Sequence, residues 1–308
     1  LAILALTAVL SLILGMGLPT TANYIVVSAL LAPVIVTLGQ QNGLIVPLIA
    51  VHLFVFYFGI MADVTPPVGL ASFAAAAVSG GDPIKTGVVA FFYSLRTAAL
   101  PFLFIFNTEL LLINVTWAQG IFVFIVATVA MLLFAAATQG WFLAKNRFYE
   151  TIALLLIAFT LFRPGFWMDM VAPPYSEVAS SEIAQAAEGT PAGETLRLRV
   201  SGVNDLGDPL EFVALLPMGE GATGAERLDN AGLVFRQDGD KLIIDDVAYN
   251  SAAQSAGLDW DQEVLRVLKP EPQPSKYLMF LPALLLLGVV VMLQRGRNSR
   301  APRKTAAA

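Results

Sequence analysis

Apolar runs long enough to cross a membrane fill the first 163 residues, and two of them are broken in the middle. A bilayer core takes about 20 apolar residues of helix. The runs cover 1–39, broken at 15–21; 44–80, broken at 62–67; 86–106; 119–143; and the short 148–163. A last run covers 277–293. In hydrocarbon every backbone amide must find a partner, so spans are helical, and irregular backbone survives only within protein or beside a watery cavity. The expected fold is therefore mainly α: a polytopic membrane protein with a re-entrant hairpin and a broken helix. A mean hydropathy of +0.72, with 57% hydrophobic and 13% charged residues, agrees.

Charge is segregated along the chain. Four acidic and five basic residues lie up to Arg163, nineteen acidic and eight basic from Pro164 to Lys276, and five basic with no acidic beyond. Lys85, Lys145 with Arg147, and the tail Arg295, Arg297, Arg300, Arg303 and Lys304 all fall on one side when spans are counted back from the C-terminus. The positive-inside rule makes that side cytoplasmic. Residues 164–276 are then expected outside, periplasmic in a bacterial inner membrane. No clustered basic face suggests nucleic acid as a partner. With no cysteine and one histidine, His52, no thiolate or multi-histidine metal site is available, and the chain is not expected to be an enzyme. The apolar run starts at Leu1 with no charged n-region or cleavage pattern. This reads as the C-terminal part of a longer polypeptide, whose N-terminal remainder would be a partner, rather than as a signal peptide.

The breaks carry the chemistry. "GMGLPTTANY" starts at Gly15. It admits two readings, a turn between two full spans or the tip of a re-entrant hairpin. No charge occurs between Leu1 and His52, which favours the tip. Gly15 and Gly17 allow unusual φ/ψ, Pro19 can open the second helix, and Thr20, Thr21 and Asn23 offer oxygens near its N-terminus. "MADVTPPVG" puts Asp63, Thr65 and Pro66 in mid-span. Pro66 pushes Thr65 out of helical geometry. Asp63 is an intramembrane carboxylate, a functional candidate by its position, although it also suits a cap on the next half-helix. Arg96, midway along 86–106, either binds a substrate carboxylate or pairs with Asp63 or a carbonyl. His52 reads as a hydrogen-bonded structural histidine rather than a proton carrier.

"GMGLPTTANYIVVSALLAPVI" followed by "FGIMADVTPPVGLASFAAAAVSGGDPIKTG" resembles the C-terminal half of the large membrane subunit of TRAP (tripartite ATP-independent periplasmic) transporters, in the version with fused membrane subunits. The resemblance covers about residues 1–115, and both breaks match in order and spacing. It implies a sodium-coupled secondary importer of an organic anion, supplied by a periplasmic substrate-binding protein and moving as an elevator. It also implies that Gly15, Gly17, Pro19, Thr20, Thr21, Asp63, Thr65 and Pro66 contribute to the substrate floor and a sodium site. Sodium would lie near Gly15, Thr20, Asp63 and Thr65, as coupling ion, with no other cofactor. The first repeat, carrying the other half of such a site, is not among these residues.

Beyond 115 the domain reading is two further transmembrane helices (116–163), a linker (164–192), a small β-rich domain (193–272), and a final helix with a basic tail (273–308). "GLVFRQDGDKLIIDDV" has a DG turn between apolar runs, a hairpin signal. "YNSAAQSAGLDWDQEVLRVL" resembles the back half of a PDZ-type domain, with Ala252–Ala256 as a short helix, Gly257 closing it and Glu263–Leu268 as a strand. The rival to transport is a membrane-anchored PDZ-like interaction module, for which the spans are only anchors and the breaks have no use.

Overall fold

The computed structural model describes residues 2–41, 46–66, 69–203 and 207–300. It is mostly helical, with one small antiparallel sheet, and divides into two compact units. One holds residues 1–35, 46–172 and 274–308, and the other 36–45 and 173–273.

Helix α1 (Ala2–Gly15) and α2 (Thr20–Gln41) enclose the first break, and α3 (Leu48–Met61) and α4 (Leu70–Ser79) the second. Helix α5 (Pro83–Phe106) begins at a cap: Asp82 accepts a hydrogen bond from the Lys85 amide at 2.7 Å, with Pro83 in the first turn. Helix α6 (Trp117–Thr138) starts from a Thr116/Gln119 capping box. Helix α7 (Phe148–Phe162) ends at Arg163, which Pro164 forces out of helical geometry, and α8 (Pro164–Val171) leaves at 83°. Helix α12 (Phe280–Arg300) closes the unit. Among the described residues four helices are long and apolar enough to cross a membrane, or five if the bent α7–α8 pair is one span. The four are 20–39 of α2, α5, α6 and 276–297 around α12. At 14 residues each, α1 and α3 are shorter.

Helices α6, α7 and α12 share an apolar core around Ala130, Leu133, Leu154, Ile157, Leu161 and Val290. Their common end holds one buried polar network. The Glu150 carboxylate is fully buried and takes Arg297 as an ion pair at 2.7 Å. It also accepts from Arg297 Nη2 at 2.8 Å, Gln294 Nε2 at 3.0 Å and the Arg147 amide at 2.9 Å. Gln294 is fully buried too. Its Oε1 accepts from the Leu143 and Ala144 amides, and its Nε2 also donates to Asn146.

The second unit is built on strands β1 (Tyr175–Ala179), β2 (Thr195–Val203), β3 (Pro209–Pro217), β4 (Leu233–Asp238), β5 (Lys241–Val247) and β6 (Glu263–Pro270). They run antiparallel in the order β3-β2-β6-β5-β4, with β1 also on β6. The β4–β5 hairpin turns at Gly239 and Asp240, one residue beyond the Asp-Gly step, with Gly239 at φ +61. Helix α11 (Ala252–Ser255) is followed by Gly257 at φ +80, then β6, as the sequence predicts. The stretch read as linker differs. Besides α8 it contains β1, paired with β6, and α9 (Ile183–Gly189), whose Ile183, Ala186 and Ala187 enter the core. Helix α10 (Gly224–Asn230) crosses α9 so closely that a methyl group on Gly224 would overlap the Ala184 carbonyl. Arg227 locks that crossing, donating to the carbonyls of Ala187 at 2.6 Å and Gly219 at 2.9 Å.

Candidate functional site

The two breaks meet through glycine. At the first, α1 ends at Gly15, Gly17 takes φ +94, and the Pro19 carbonyl accepts the first bond of α2 from the Asn23 amide at 2.9 Å. Only glycine adopts the Gly17 geometry without strain. At the second, α3 tightens into a 3-10 turn at Ala62–Val64 and opens at Thr65, with φ −97 and ψ 126. The Thr65 hydroxyl folds back to the Met61 carbonyl at 2.6 Å, and the Gly69 amide bonds the Thr65 carbonyl at 3.1 Å. Gly69 then starts α4 in the left-handed region at φ +39. Pro67 and Val68 lie outside the described residues.

Gly15 and Gly59 face each other with Asn23 between them. A methyl group on Gly15 would stand 2.7 Å from the Gly59 carbonyl oxygen and 2.9 Å from both Ala62 Cβ and Asn23 Nδ2. One on Gly59 would stand 2.5 Å from Asn23 Nδ2. Asn23 is 2% exposed, and its Oδ1 is buried with no hydrogen-bond partner among the described residues. Buried polar atoms are seldom left so, because an unpaired acceptor costs about 1–3 kcal/mol. One residue on, the Tyr24 hydroxyl reaches His52 Nδ1 at 3.0 Å and ties α2 to α3.

The predicted residues therefore separate. Gly15 and Asn23 come together against the end of α3, two to four residues before Asp63 and Thr65. Asp63 is half-buried, and among the described residues its carboxylate has no hydrogen bond or ion pair. Thr65 is buried, and Pro66 packs beneath Gly87 of α5. Gly17, Pro19, Thr20 and Thr21 are exposed at the tip. Arg96 is on α5, and its side chain lies outside the described residues. Sequence reasoning missed Gly59 and Ala62. Their signal is slight: a glycine inside an otherwise bulky apolar helix, three residues before the break.

Residues 1–119 match the family model described as the tripartite ATP-independent periplasmic transporter, DctM component. Residues 120–300 match the model described as a domain of unknown function, DUF3394. Residues 1–119 are a TRAP transporter large-permease domain, and a DUF3394 domain follows it. No curated protein and no solved structure matches it significantly. The DctM match ends just inside α6 and contains both breaks of the permease. The DUF3394 match takes in the helices around Glu150 and the whole sheet. This TRAP permease family is one of non-enzymatic membrane transporters, which suits a polytopic chain. Among the described residues no group of three or more His, Cys, Asp or Glu side chains is placed to hold a metal ion.

Proposed function

We propose that the chain forms the C-terminal half of the transport domain of a sodium-coupled TRAP permease that imports an organic anion, a carboxylate in class. The single observation that carries this is the Asn23 carbonyl oxygen, buried and without a hydrogen-bond partner among the described residues where the end of α1 meets the end of α3. Broken helices of transporters use carbonyl and hydroxyl oxygens at such junctions to hold a cation, and their helix N-termini to face anionic substrate. A buried acceptor, a carboxylate at Asp63 without a partner among the described residues, and a backbone opened at Thr65 are chemical groups of the kind that bind sodium. In this reading the ion lies near Gly15, Thr20, Asp63 and Thr65, with Asn23 as a further ligand. Gly17, Pro19, Thr21, Pro66 and Arg96 are assigned to the substrate floor.

In this reading the N-terminal remainder of the permease supplies the opposite half of the site. A periplasmic substrate-binding protein delivers the anion, and the bilayer is the bacterial inner membrane. Residues 173–273 are periplasmic and the basic end cytoplasmic, since every Lys/Arg cluster flanking the spans falls on one side. The anchor-only alternative, a PDZ-like interaction module, draws support from the β4–β5 hairpin and the α11–Gly257–β6 sequence. It gives no reason for a desolvated asparagine between two glycines 44 residues apart.

The test is uptake by the full-length permease with its binding protein in proteoliposomes carrying a sodium gradient. Asp63→Ala is expected to abolish sodium-driven uptake while leaving membrane insertion intact. Normal uptake by that variant removes Asp63 from the site.

A further inference from the structure

Helix α7 is too short for the membrane it enters. Its 15 residues, rising about 1.5 Å each, cover about 22 Å, against a hydrocarbon core of about 30 Å. The chain meets this mismatch by turning 83° at Arg163–Pro164, so that α8 runs sideways while α12 continues along the spans. The inside of that elbow is not filled by protein. A cavity of about 530 Å³ lies there, walled by Leu156 and Thr160 of α7, Trp167 and Met170 of α8, and Met279 and Leu286 leading into and along α12.

The lining decides what enters. Its polar groups are already satisfied: the Thr160 hydroxyl donates to the Leu156 carbonyl at 2.8 Å and accepts from Trp167 Nε1 at 3.0 Å. A cavity with apolar walls and no unpaired polar atom does not hold water. Its volume lies in the range of ligand pockets. Its wall continues outward through Met170 and Val171, which are 69% and 75% exposed. An elbow inside the hydrocarbon has lipid as its solvent, and mismatch of this kind is filled by bilayer adjustment.

We propose that this elbow is a binding site for one acyl chain of a phospholipid from the surrounding bilayer. The chain completes the wall between α7, α8 and α12 that the short helix leaves open. The bound lipid is a structural ligand of the DUF3394 helices, and the proposal does not depend on what the permease carries. Leu156 and Met279 border the cavity without sitting in the Glu150 network, so a larger side chain at either fills the space in place of lipid.

The full-length permease is reconstituted in phosphatidylethanolamine/phosphatidylglycerol vesicles doped with a phosphatidylethanolamine bearing a diazirine on its acyl chain. After photolysis, the expected label concentrates on peptides covering 156–171 and 279–286. Leu156→Trp or Met279→Trp is expected to cut label on those peptides about tenfold, the loss of one to two buried methylenes' worth of affinity, with label on α6 unchanged. The wild-type map is decisive if a variant fails to insert. Label spread evenly over every lipid-facing helix overturns the proposal, as does unchanged elbow labelling in both inserted variants.

Discussion

Two of the buried polar clusters among the described residues use their amides to different degrees. At the Glu150 end of α6, α7 and α12, Gln294 uses both ends of its amide, and Glu150 Oε2 accepts three hydrogen bonds while its Oε1 has only the ion pair with Arg297. At the hairpin tip, Asn23 is as buried as Gln294, yet its Oδ1 has nothing to accept from among the described residues. A buried network in which one amide bridges several elements fixes one arrangement of helices. A buried acceptor left without a donor costs about 1–3 kcal/mol, which the proposed ion would offset. The first cluster joins the appended helices; the second is where the proposed cation would bind.

Amide-to-leucine substitution separates the two. Gln294→Leu leaves the Leu143 and Ala144 amides without their acceptor. It is expected to cost about 2–5 kcal/mol, read as a lowered thermal midpoint of the full-length protein in detergent. Gly59→Ala comes next. Its methyl group meets Asn23 at 2.5 Å, and overpacking of this kind costs about 1–3 kcal/mol. Uptake is expected to fall to background even in protein that still inserts. Asn23→Leu should change stability least, by about 1 kcal/mol or less in sodium-free buffer, because it removes an orphan rather than creating one. A drop as large as that of Gln294→Leu would mean that Asn23 is held by partners after all.

How much of this could be read from residues alone depends on the range of the interactions. The apolar runs, the β4–β5 hairpin and the short α11 with Gly257 are local, and all were legible, although the hairpin turns at Gly239–Asp240, one residue beyond the Asp-Gly step. The two breaks were legible as chemistry, since prolines, hydroxyls and a carboxylate do not belong in lipid without a reason. The pairing of the breaks was not, because Gly15 meets Gly59 only through tertiary packing, and a glycine inside an apolar helix gives no warning of what faces it. Strand β1 hid in a stretch read as linker because its partner, β6, lies some 90 residues away. Gln294 hid at the end of an apolar run, where a lone amide reads as the start of the basic tail. The elbow at Arg163–Pro164 was visible as a proline, but the length of the helix before it had to be measured against the bilayer to acquire a meaning.

The central claim is that the tip and the break together hold a sodium ion, and it can be tested without knowing the transported anion. Thermal unfolding of the full-length permease is followed in sodium chloride and in choline chloride at equal ionic strength. A ligand that binds only the folded state raises stability with its concentration, so the wild type is expected to be stabilised by sodium and not by choline. Asn23→Leu and Asp63→Ala are expected to fold and to lose that difference. A sodium-specific stabilisation that survives unchanged in both variants contradicts the account.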